Sequence, residues 1–504
     1  MTHKAGRDPM FRPLHALFGG QNFAIHPFGF REATDKREFY RGRQVQSAGQ
    51  FNVAAPTKRT VYETTTNVSA LSGRVTPGQP QDLCTEEPIK MEMTRRQFAL
   101  SMAAAASLRS SLFEPLSPLG VARGVVPGRV TWAHDPAAVT WDGTGSWWTD
   151  ANNNQSVVDR MVSRSLCSLT NQKNDAQAWN AIFHYYNQTH GRGKAGYRHG
   201  EKIAIKANLN NTTDHGTIER LNSSPHLILS LVRQLAGSGR VPESSITVFD
   251  SSRFIPSNLY EKIHHEFPGV VFVDHIGGDG RLKAEFKPNA IPFSVDGNNA
   301  KGLDTTVVEA TYLIDAAVLR AHVSSGVTLC AKNLFGATSI NPDWRKNAHD
   351  GFHHNNDGSA SYSAFTDFLG HKDLGEKTML FIIDALYGND NVDGPPHRKW
   401  KMPPFNDAWP NSIFMSFDGV AIDSVGFDFL TSEWPDLPDI ANADNYLRES
   451  ALANDPPSKT VYDPERDGIR CRSLGVYEHW NNGTDKKYSR NLGKAHGIEL
   501  FQVS

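Results

Sequence analysis

Cysteine is scarce in this sequence: its 504 residues include four, Cys84, Cys167, Cys330 and Cys471. No two of them form a C-x-x-C pair, the spacing that iron–sulfur clusters and cysteine-held structural zinc sites commonly use. The sequence therefore predicts no iron–sulfur cluster. For the cysteines beyond residue 92, free thiols and a disulfide between Cys167 and Cys471 both remain open.

The sequence also lacks a strong charge bias and a long apolar run. Its 52 lysines and arginines nearly balance its 54 aspartates and glutamates, and no basic stripe stands out. A nucleic-acid partner would require such a stripe, so we expect none. No segment reaches the roughly eighteen apolar residues that indicate a membrane-spanning helix. We therefore expect no stable membrane span.

Several common catalytic motifs are missing from the positions where they would function. No G-x-S-x-G elbow, H-E-x-x-H pair, phosphate-binding P-loop or G-x-G-x-x-G turn stands in the strand-to-helix or helical context that it needs. Residues 277–280 (GGDG) follow a strand, but no clear helix opens after them. The usual hydrolase, metalloprotease and nucleotide-binding signatures therefore give no function.

Residues 93–100 (MTRRQFAL) carry the pattern of a twin-arginine export signal. Arg95 and Arg96 are adjacent, a Thr precedes them, and a Phe follows two places later. Residues 101–108 are mildly apolar and too short to span a bilayer, as in the hydrophobic part of a signal peptide. We expect a signal region at 93–124 and export through the twin-arginine machinery to the periplasm or another extracytoplasmic space.

Residues 1–92 precede this signal and show no sustained helical or strand period. We interpret them as a non-native or disordered leader, with translation starting at Met91 or Met93. The alternative is a disordered leader on a cytoplasmic protein, in which Arg95 and Arg96 are ordinary surface residues.

The remaining chain alternates strands and helices. Apolar strands are predicted at 202–206, 245–250 and 270–274, with helices between them, the first capped by Ser223 or Ser224 and ended by Gly237. This order predicts an α/β fold of mainly parallel sheet with helices on both faces. We expect two intimately packed α/β units, at 125–300 and 301–435, and an irregular wrap at 436–504.

Polar residues follow several of these strands. Ligands of open parallel sheets bind beyond the carboxyl ends of the strands, so we expect a shared pocket there. The alternative for each carboxylate is a helix cap or a loop anchor. The strand-end residues are Lys206, Asn208, Asp250, Arg320, His322, Asp384 and Asp418. Lys332 and Asn333 precede a Gly turn and would present an ammonium and an amide to an anion.

A divalent metal site is a further hypothesis. His349 and His353 are four residues apart, a spacing that places both on one face of a helix. Asp384, Asp418 and Asp423 would supply hard oxygen ligands. The alternatives are a polar surface loop for the histidines and capping roles for the aspartates.

A series of short motifs lies in order within about residues 200–430: 206–209 (KANL), 223–226 (SSPH), 248–252 (VFDSS), 320–322 (RAH), 327–328 (VT), 332–336 (KNLFG), His349, 382–385 (IIDA), 394–395 (GP) and 416–423 (SFDGVAID). Together they resemble the family called domain of unknown function 362, and KNLFG and D-x-V-A-x-D are the most specific of them. The resemblance implies an α/β fold and gives no substrate. Many relatives carry a ferredoxin-like cysteine segment that this chain lacks, so we expect no electron-transfer role.

These observations favour an exported, metal-assisted enzyme that performs hydrolysis or group transfer on a small anionic substrate. In this hypothesis His322, Lys332 and Asp384 are catalytic, while Lys206, Asn208, Asp250, Arg320 and Asn333 bind the ligand. The metal ligands would be His349, His353, Asp384, Asp418 and Asp423. The alternative is a non-catalytic periplasmic protein that binds an anion or a metal or assists assembly.

Overall fold

The computed structural model of the protein describes residues 117–211, 214–216, 219–339 and 360–503. The leader at 1–92, the twin-arginine pattern, and His349 and His353 lie outside the described residues. All the residues it describes belong to one compact unit, Met91–Ser504.

The β-strands of the described residues are short to medium in length. They are β1 Leu119–Gly120, β2 Arg129–His134, β3 Ile203–Ala207, β4 Ile246–Asp250, β5 Val271–Asp274, β6 Leu282–Lys283, β7 Phe286–Ile291, β8 Lys301–Asp304, β9 Tyr312–His322, β10 Gly326–Thr328, β11 Thr378–Asn389, β12 Ser412–Ser416, β13 Val476–Tyr477 and β14 Glu499–Val503.

The α-helices of the described residues range from 4 to 16 residues in length. They are α1 Gln155–Thr170, α2 Asp175–Thr189, α3 Pro225–Ala236, α4 Ser257–Glu266, α5 Thr305–Glu309, α6 Cys330–Asn333, α7 Ala364–Gly370, α8 Gly419–Glu433 and α9 Ile440–Ala451. Single 3-10 turns occupy Glu243–Ser245, Leu334–Ala337, Gly375–Lys377 and Arg490–Leu492.

Ten strands form one mixed sheet that is mostly parallel. Its order is β14-β2-β12-β11-β9-β3-β4-β5-β6, and β10 pairs with the end of β9. Strands β10 and β12 run antiparallel to their neighbours, whereas the other pairs are parallel. The prediction of an α/β fold is confirmed. Strands from 125–300 and from 301–435 share this single sheet.

Two apolar cores lie on opposite faces of the sheet, because successive side chains of a strand point to opposite sides. In β11, Leu380 and Ile382 belong to the core that α1–α4 cover, whereas Phe381 and Ile383 belong to the core that α6–α9 cover. Such strands are buried on both sides, which explains why they read as continuous apolar runs in the sequence.

The first helix of the central βαβ unit begins and ends as its sequence predicts. The Ser224 side chain accepts a hydrogen bond from the His226 backbone N–H, Pro225 occupies the first turn, and Gly237 caps the end of α3. The structure adds regular elements to the segment after residue 435, among them helix α9, strand β13 and edge strand β14. None of the helices in the described residues is long and apolar enough to cross a membrane.

Candidate functional site

The order of strands reverses between β3 and β9. From β3 the chain runs outward through β4 and β5, then returns to the other side of β3 with β9 and β11. Such a point, at the carboxyl ends of parallel strands, is where open α/β sheets bind ligands. A cleft of about 530 Å³ lies there. Its polar lining includes Lys206, Asn208, Arg220, Asp250, Arg253, Arg320, His322, Thr328, Lys332, Asn333 and Asp393.

Lys206, near the end of β3, is held by three polar partners. Its Nζ lies 3.0 Å from Asp250 Oδ2. It also donates to the Ala207 carbonyl at 2.6 Å and to Asn333 Oδ1 at 3.3 Å. Burial lowers the pKa of Lys206, and the Asp250 carboxylate opposes that effect. A methyl group on Gly336 would stand 2.5 Å from this Nζ, so the glycine allows the close approach.

Arg320, in the last part of β9, joins the same network. Its Nη1 donates to the Leu221 carbonyl at 2.8 Å, and its Nη2 donates to Asn208 Oδ1. The Asn208 amide in turn donates to Asn333 Oδ1 at 2.7 Å. Burial lowers the pKa of Arg320, and the like charge of Arg253 lowers it further. Hydrogen bonds therefore fix β3, β9 and α6 relative to one another at the base of the cleft.

Lys332 differs from Lys206 because its side-chain nitrogen has no hydrogen bond or ion pair with any residue that the structure describes; its backbone carbonyl accepts from the Leu334 N–H. It lies on α6, whose first backbone N–H groups, those of Cys330 and Ala331, donate to the Asp423 carboxylate at 2.8 and 2.9 Å. Burial lowers the pKa of Lys332 well below its usual range, and Arg320 and Arg253 lower it further. The side chain is partly exposed to the cleft.

Some buried polar atoms around this network have no hydrogen-bond partner within the described part of the chain. They include Thr328 Oγ1, Arg320 Nε and Asp315 Oδ2. Thr328 and Arg320 pair in the β9–β10 ladder and both line the cleft. Buried polar groups are ordinarily satisfied by protein, water or ligand, so Thr328 Oγ1 and Arg320 Nε, whose residues line the cleft, are available to a bound water or a polar ligand.

The rim of the cleft carries the pair Arg220 and Asp393. Their charged atoms are 3.7 Å apart, and both side chains are exposed. Arg220 Nη1 also donates to the Asn210 carbonyl at 3.2 Å. An exposed pair of this kind holds little energy and leaves the guanidinium free to exchange its carboxylate for another anion.

Comparison with known families gives one match. Residues 203–428 match the family model described as Domain of unknown function (DUF362). These residues belong to that family. Every residue lining the cleft falls within the matched segment. No curated protein and no solved structure matches the chain.

Within the DUF362 segment, Asp384, Asp418 and Asp423 lie outside the lining of the cleft. Asp384 accepts from the backbone N–H groups of Ser224 at 2.6 Å and Leu386 at 3.1 Å. Burial raises the pKa of all three carboxyls to about 6. The backbone N–H groups that they bind favour the charged form.

Asp418 and Asp423 also bind backbone N–H groups. Asp418 caps α8 by accepting from Val420 at 3.1 Å and Ala421 at 2.9 Å. Asp423 holds the start of α6, as described above. No group of three histidine, cysteine or carboxylate side chains suited to a metal occurs among the described residues. His349 and His353 lie outside them, so the predicted metal site remains a prediction.

The other predicted residues of the DUF362 segment come together in the cleft. His322 ends β9, and its Nδ1 accepts a hydrogen bond from the Ser324 backbone N–H at 3.1 Å. The structure therefore groups His322 with the predicted ligand-binding residues and Lys332.

Cys330, Cys167 and Cys471 are free thiols.

Sequence reasoning missed three contributors to the site. Asp315 is fully buried in β9, and its Oδ1 accepts from Asn333 Nδ2 at 2.6 Å. Its signal in the sequence is a single carboxylate inside an apolar strand. Arg220 and Thr328 give no comparable signal, because the fold alone brings them to the cleft.

Proposed function

We propose that this protein binds a small anionic substrate in the cleft and acts on it as an enzyme, by hydrolysis or group transfer. The observation that carries the proposal is the charge of the lining. Five basic side chains line the cleft against two carboxylates, and each carboxylate lies against one of those basic groups. The excess positive charge favours an anion, and the volume suits a small molecule.

The polar lining supports an oriented ligand rather than a diffuse counterion cloud. Arg320 and Asn208 are held by several hydrogen bonds, so their positions are set before a ligand arrives. Preorganised donors lose little conformational freedom on binding. Lys332 adds a charged or nucleophilic amine that has no described protein partner.

The alternative function is a non-catalytic protein that binds an anion in the same cleft. Only the enzyme would convert the bound anion to a product. Both functions require binding, so we would test binding first. Isothermal titration calorimetry of the full chain with phosphate, acetate and lactate, at low and high sodium chloride, measures it directly. We expect micromolar to millimolar affinity for at least one anion, weakened by salt because charge attraction contributes to it.

Matched charge changes locate the binding site. Lys332→Met and Arg220→Ala remove cations of the cleft, and we expect each to weaken binding at least fivefold. Lys202→Met removes an exposed lysine that pairs with Glu309 elsewhere, and it should leave the affinity unchanged. The proposal would be overturned if neither cleft substitution changed the anion affinity. It would also be overturned if the wild type bound none of the anions.

The metal component of the proposal rests on the donor residues of the sequence. His349 and His353, with Asp384, Asp418 or Asp423, would hold a divalent ion that acts as a Lewis acid. The three carboxylates bind backbone N–H groups outside the cleft lining, so holding the ion would require them to give up some of those hydrogen bonds. Elemental analysis of the wild type, His349→Ala and Asp384→Ala tests this component. A near-stoichiometric metal that disappears in either variant would support it, and a folded, metal-free wild type would contradict it.

Export is also a proposal, supported by the pattern at 93–100. We expect Arg95→Lys combined with Arg96→Lys to retain the protein in the cytoplasm of a host with an intact twin-arginine route. Arg109→Lys is the matched control and should be exported like the wild type. Equal export of all three proteins, measured by cell fractionation, would contradict the assignment.

A further inference from the structure

The two lysines of the cleft are in different chemical environments. Lys206 lies 3.0 Å from Asp250 and has two further polar acceptors. The side-chain nitrogen of Lys332 has no described hydrogen-bond or ion-pair partner. One lysine is thus built into the protein as a structural ammonium group, whereas the other faces the cleft with its nitrogen available.

The surroundings of Lys332 favour its neutral amine. Burial reduces the hydration that would stabilise an ammonium ion, and the positive charges of Arg320 and Arg253 further lower the pKa of Lys332. The Asp250 carboxylate is already engaged by Lys206. An amine that is desolvated and next to fixed cations is the usual form of a lysine nucleophile.

The guanidinium groups then have a second use. They stay charged when Lys332 is neutral, so they would hold the anionic group of a ligand while the amine meets another part of it. A ligand in which a carboxylate adjoins a carbonyl carbon has both parts: an anionic group for the guanidinium groups and an electrophilic carbon for the amine. Thr328 Oγ1 and Arg320 Nε, without described partners, would serve polar atoms of the same ligand.

We propose that Lys332 forms an imine with the carbonyl carbon of a small 2-oxo acid whose carboxylate is held by the guanidinium groups of the cleft. This inference rests on the proposed function and names its substrate class. The amine nitrogen adds to the carbonyl carbon, and the carbonyl oxygen takes up a proton to give a carbinolamine. That proton comes from the amine nitrogen. The nitrogen then gives up its one remaining proton, which leaves with the hydroxyl group as water, and a C=N bond replaces C=O.

The imine gives the cleft a way to transfer carbon groups. Once protonated, a C=N group withdraws electrons from the neighbouring carbon more strongly than C=O does, so a bond at that carbon is made or broken more easily. Hydrolysis of the imine by one water then restores the lysine and releases the product. Atoms and charge balance without an external oxidant or reductant.

Reductive trapping tests the imine directly. The full chain is incubated separately with pyruvate, glyoxylate and 2-oxoglutarate in the presence of sodium cyanoborohydride, which reduces imines. We expect at least one acid to give a single adduct whose mass increase equals that of the acid less one oxygen. Peptide mapping should place the adduct on Lys332.

Two variants control the trapping. Lys332→Arg keeps the charge without a nucleophilic amine, so we expect it to lose the adduct and to weaken lactate binding by less than tenfold. Lys202→Arg alters an exposed lysine away from the cleft and should be trapped like the wild type. An adduct that persists in Lys332→Arg would overturn the assignment of the nucleophile.

Lactate separates failure of this inference from failure of the proposed function, because it carries the carboxylate without the carbonyl. Lactate binding without trapping by any of the three oxo acids would overturn the imine and leave anion binding standing. Trapping on Lys332 would support both. Absence of binding by lactate, acetate and phosphate would overturn the proposed function itself.

Discussion

The Lys206 ammonium lies 3.0 Å from the Asp250 carboxylate at the base of the cleft, with 1% and 3% of the two side chains exposed. Removing one member of such a pair leaves a buried charge without its counterion. We expect Asp250→Leu to lower the free energy of unfolding by about 3–5 kcal/mol, measured by urea denaturation.

The double variant Lys206→Met with Asp250→Leu controls this experiment. It removes both charges, so it should be more stable than Asp250→Leu alone. A double variant that is less stable than the single one would show that the pair itself does not account for the loss.

Gly336 is a second position at which a substitution should disturb the cleft. A Cβ there would stand 2.5 Å from Lys206 Nζ and 2.8 Å from its Cε. We expect Gly336→Ala to cost about 1–3 kcal/mol of unfolding free energy, as overpacking does, and to weaken anion binding because Lys206 must shift.

Gly196→Ala is the matched control for Gly336→Ala. Its Cβ would meet the flexible end of Asn180 at 3.1 Å, so the change in unfolding free energy should stay within about 0.5 kcal/mol. Equal effects of the two substitutions would refute the steric role of Gly336.

His479 should make the free energy of unfolding depend on pH from neutral to alkaline values. Burial opposes its charge, but hydrogen bonds to Asp428 at 2.5 Å and to Asp444 at 3.3 Å raise its pKa from 6.5 to about 9. A group whose folded pKa is raised contributes stability that is complete below its unfolded pKa and lost as pH rises through its folded pKa. Unfolding free energies measured between pH 6.5 and 9 should therefore fall by an amount on the order of 3 kcal/mol.

His479→Gln removes the titrating group and should flatten this part of the pH profile. The variant is also expected to be less stable than the wild type near neutral pH, because Asp428 and Asp444 lose their shared cation. A variant whose unfolding free energy declines as steeply as that of the wild type would assign the effect to another group.

Asp418 has a structural role as a helix cap and is also one of the metal ligands predicted from the sequence. It caps α8 and accepts from the backbone N–H groups of Arg123 at 3.0 Å and Val476 at 3.1 Å. We expect Asp418→Ala to lower the free energy of unfolding by about 2 kcal/mol or more. Asp436→Ala, an exposed carboxylate after α8, should change it by less than about 0.5 kcal/mol.

Metal analysis of the same Asp418→Ala protein separates the two roles. A cap affects stability without changing metal content, whereas a ligand affects both. Loss of metal from a protein of unchanged stability would contradict the capping role.

The cleft could be foreseen because of one regularity of parallel sheets. Lys206, Asp250 and Arg320 stand near the carboxyl ends of neighbouring strands that run in the same direction, so the pattern of the sequence brings them together. The parallel pairing of β3, β4 and β5 also follows from the alternation of apolar strands and capped helices. Local patterns were sufficient for these features.

Other features depend on contacts between distant segments. Asp384, Asp418 and Asp423 follow or flank apolar segments just as the cleft residues do, yet their carboxylates bind backbone N–H groups outside the cleft lining. A capping carboxylate and a ligand-binding one have the same local sequence signal. Asp315 and the edge strand β14 required the tertiary structure, since their partners lie far away along the chain.

The placement of β2 has a consequence for how the polypeptide is made. Val130 pairs with Ser416 on one side and with Leu500 on the other. A ribosome must therefore add most of the chain before β2 has any strand neighbour in the main sheet, and residues 499–503 before its second edge is covered. Contacts this distant slow folding, and an uncovered edge invites association with other chains. Removal of residues 499–503 would thus expose the edge of β2 that β14 covers, as in an incompletely synthesised chain, to chaperones and proteases.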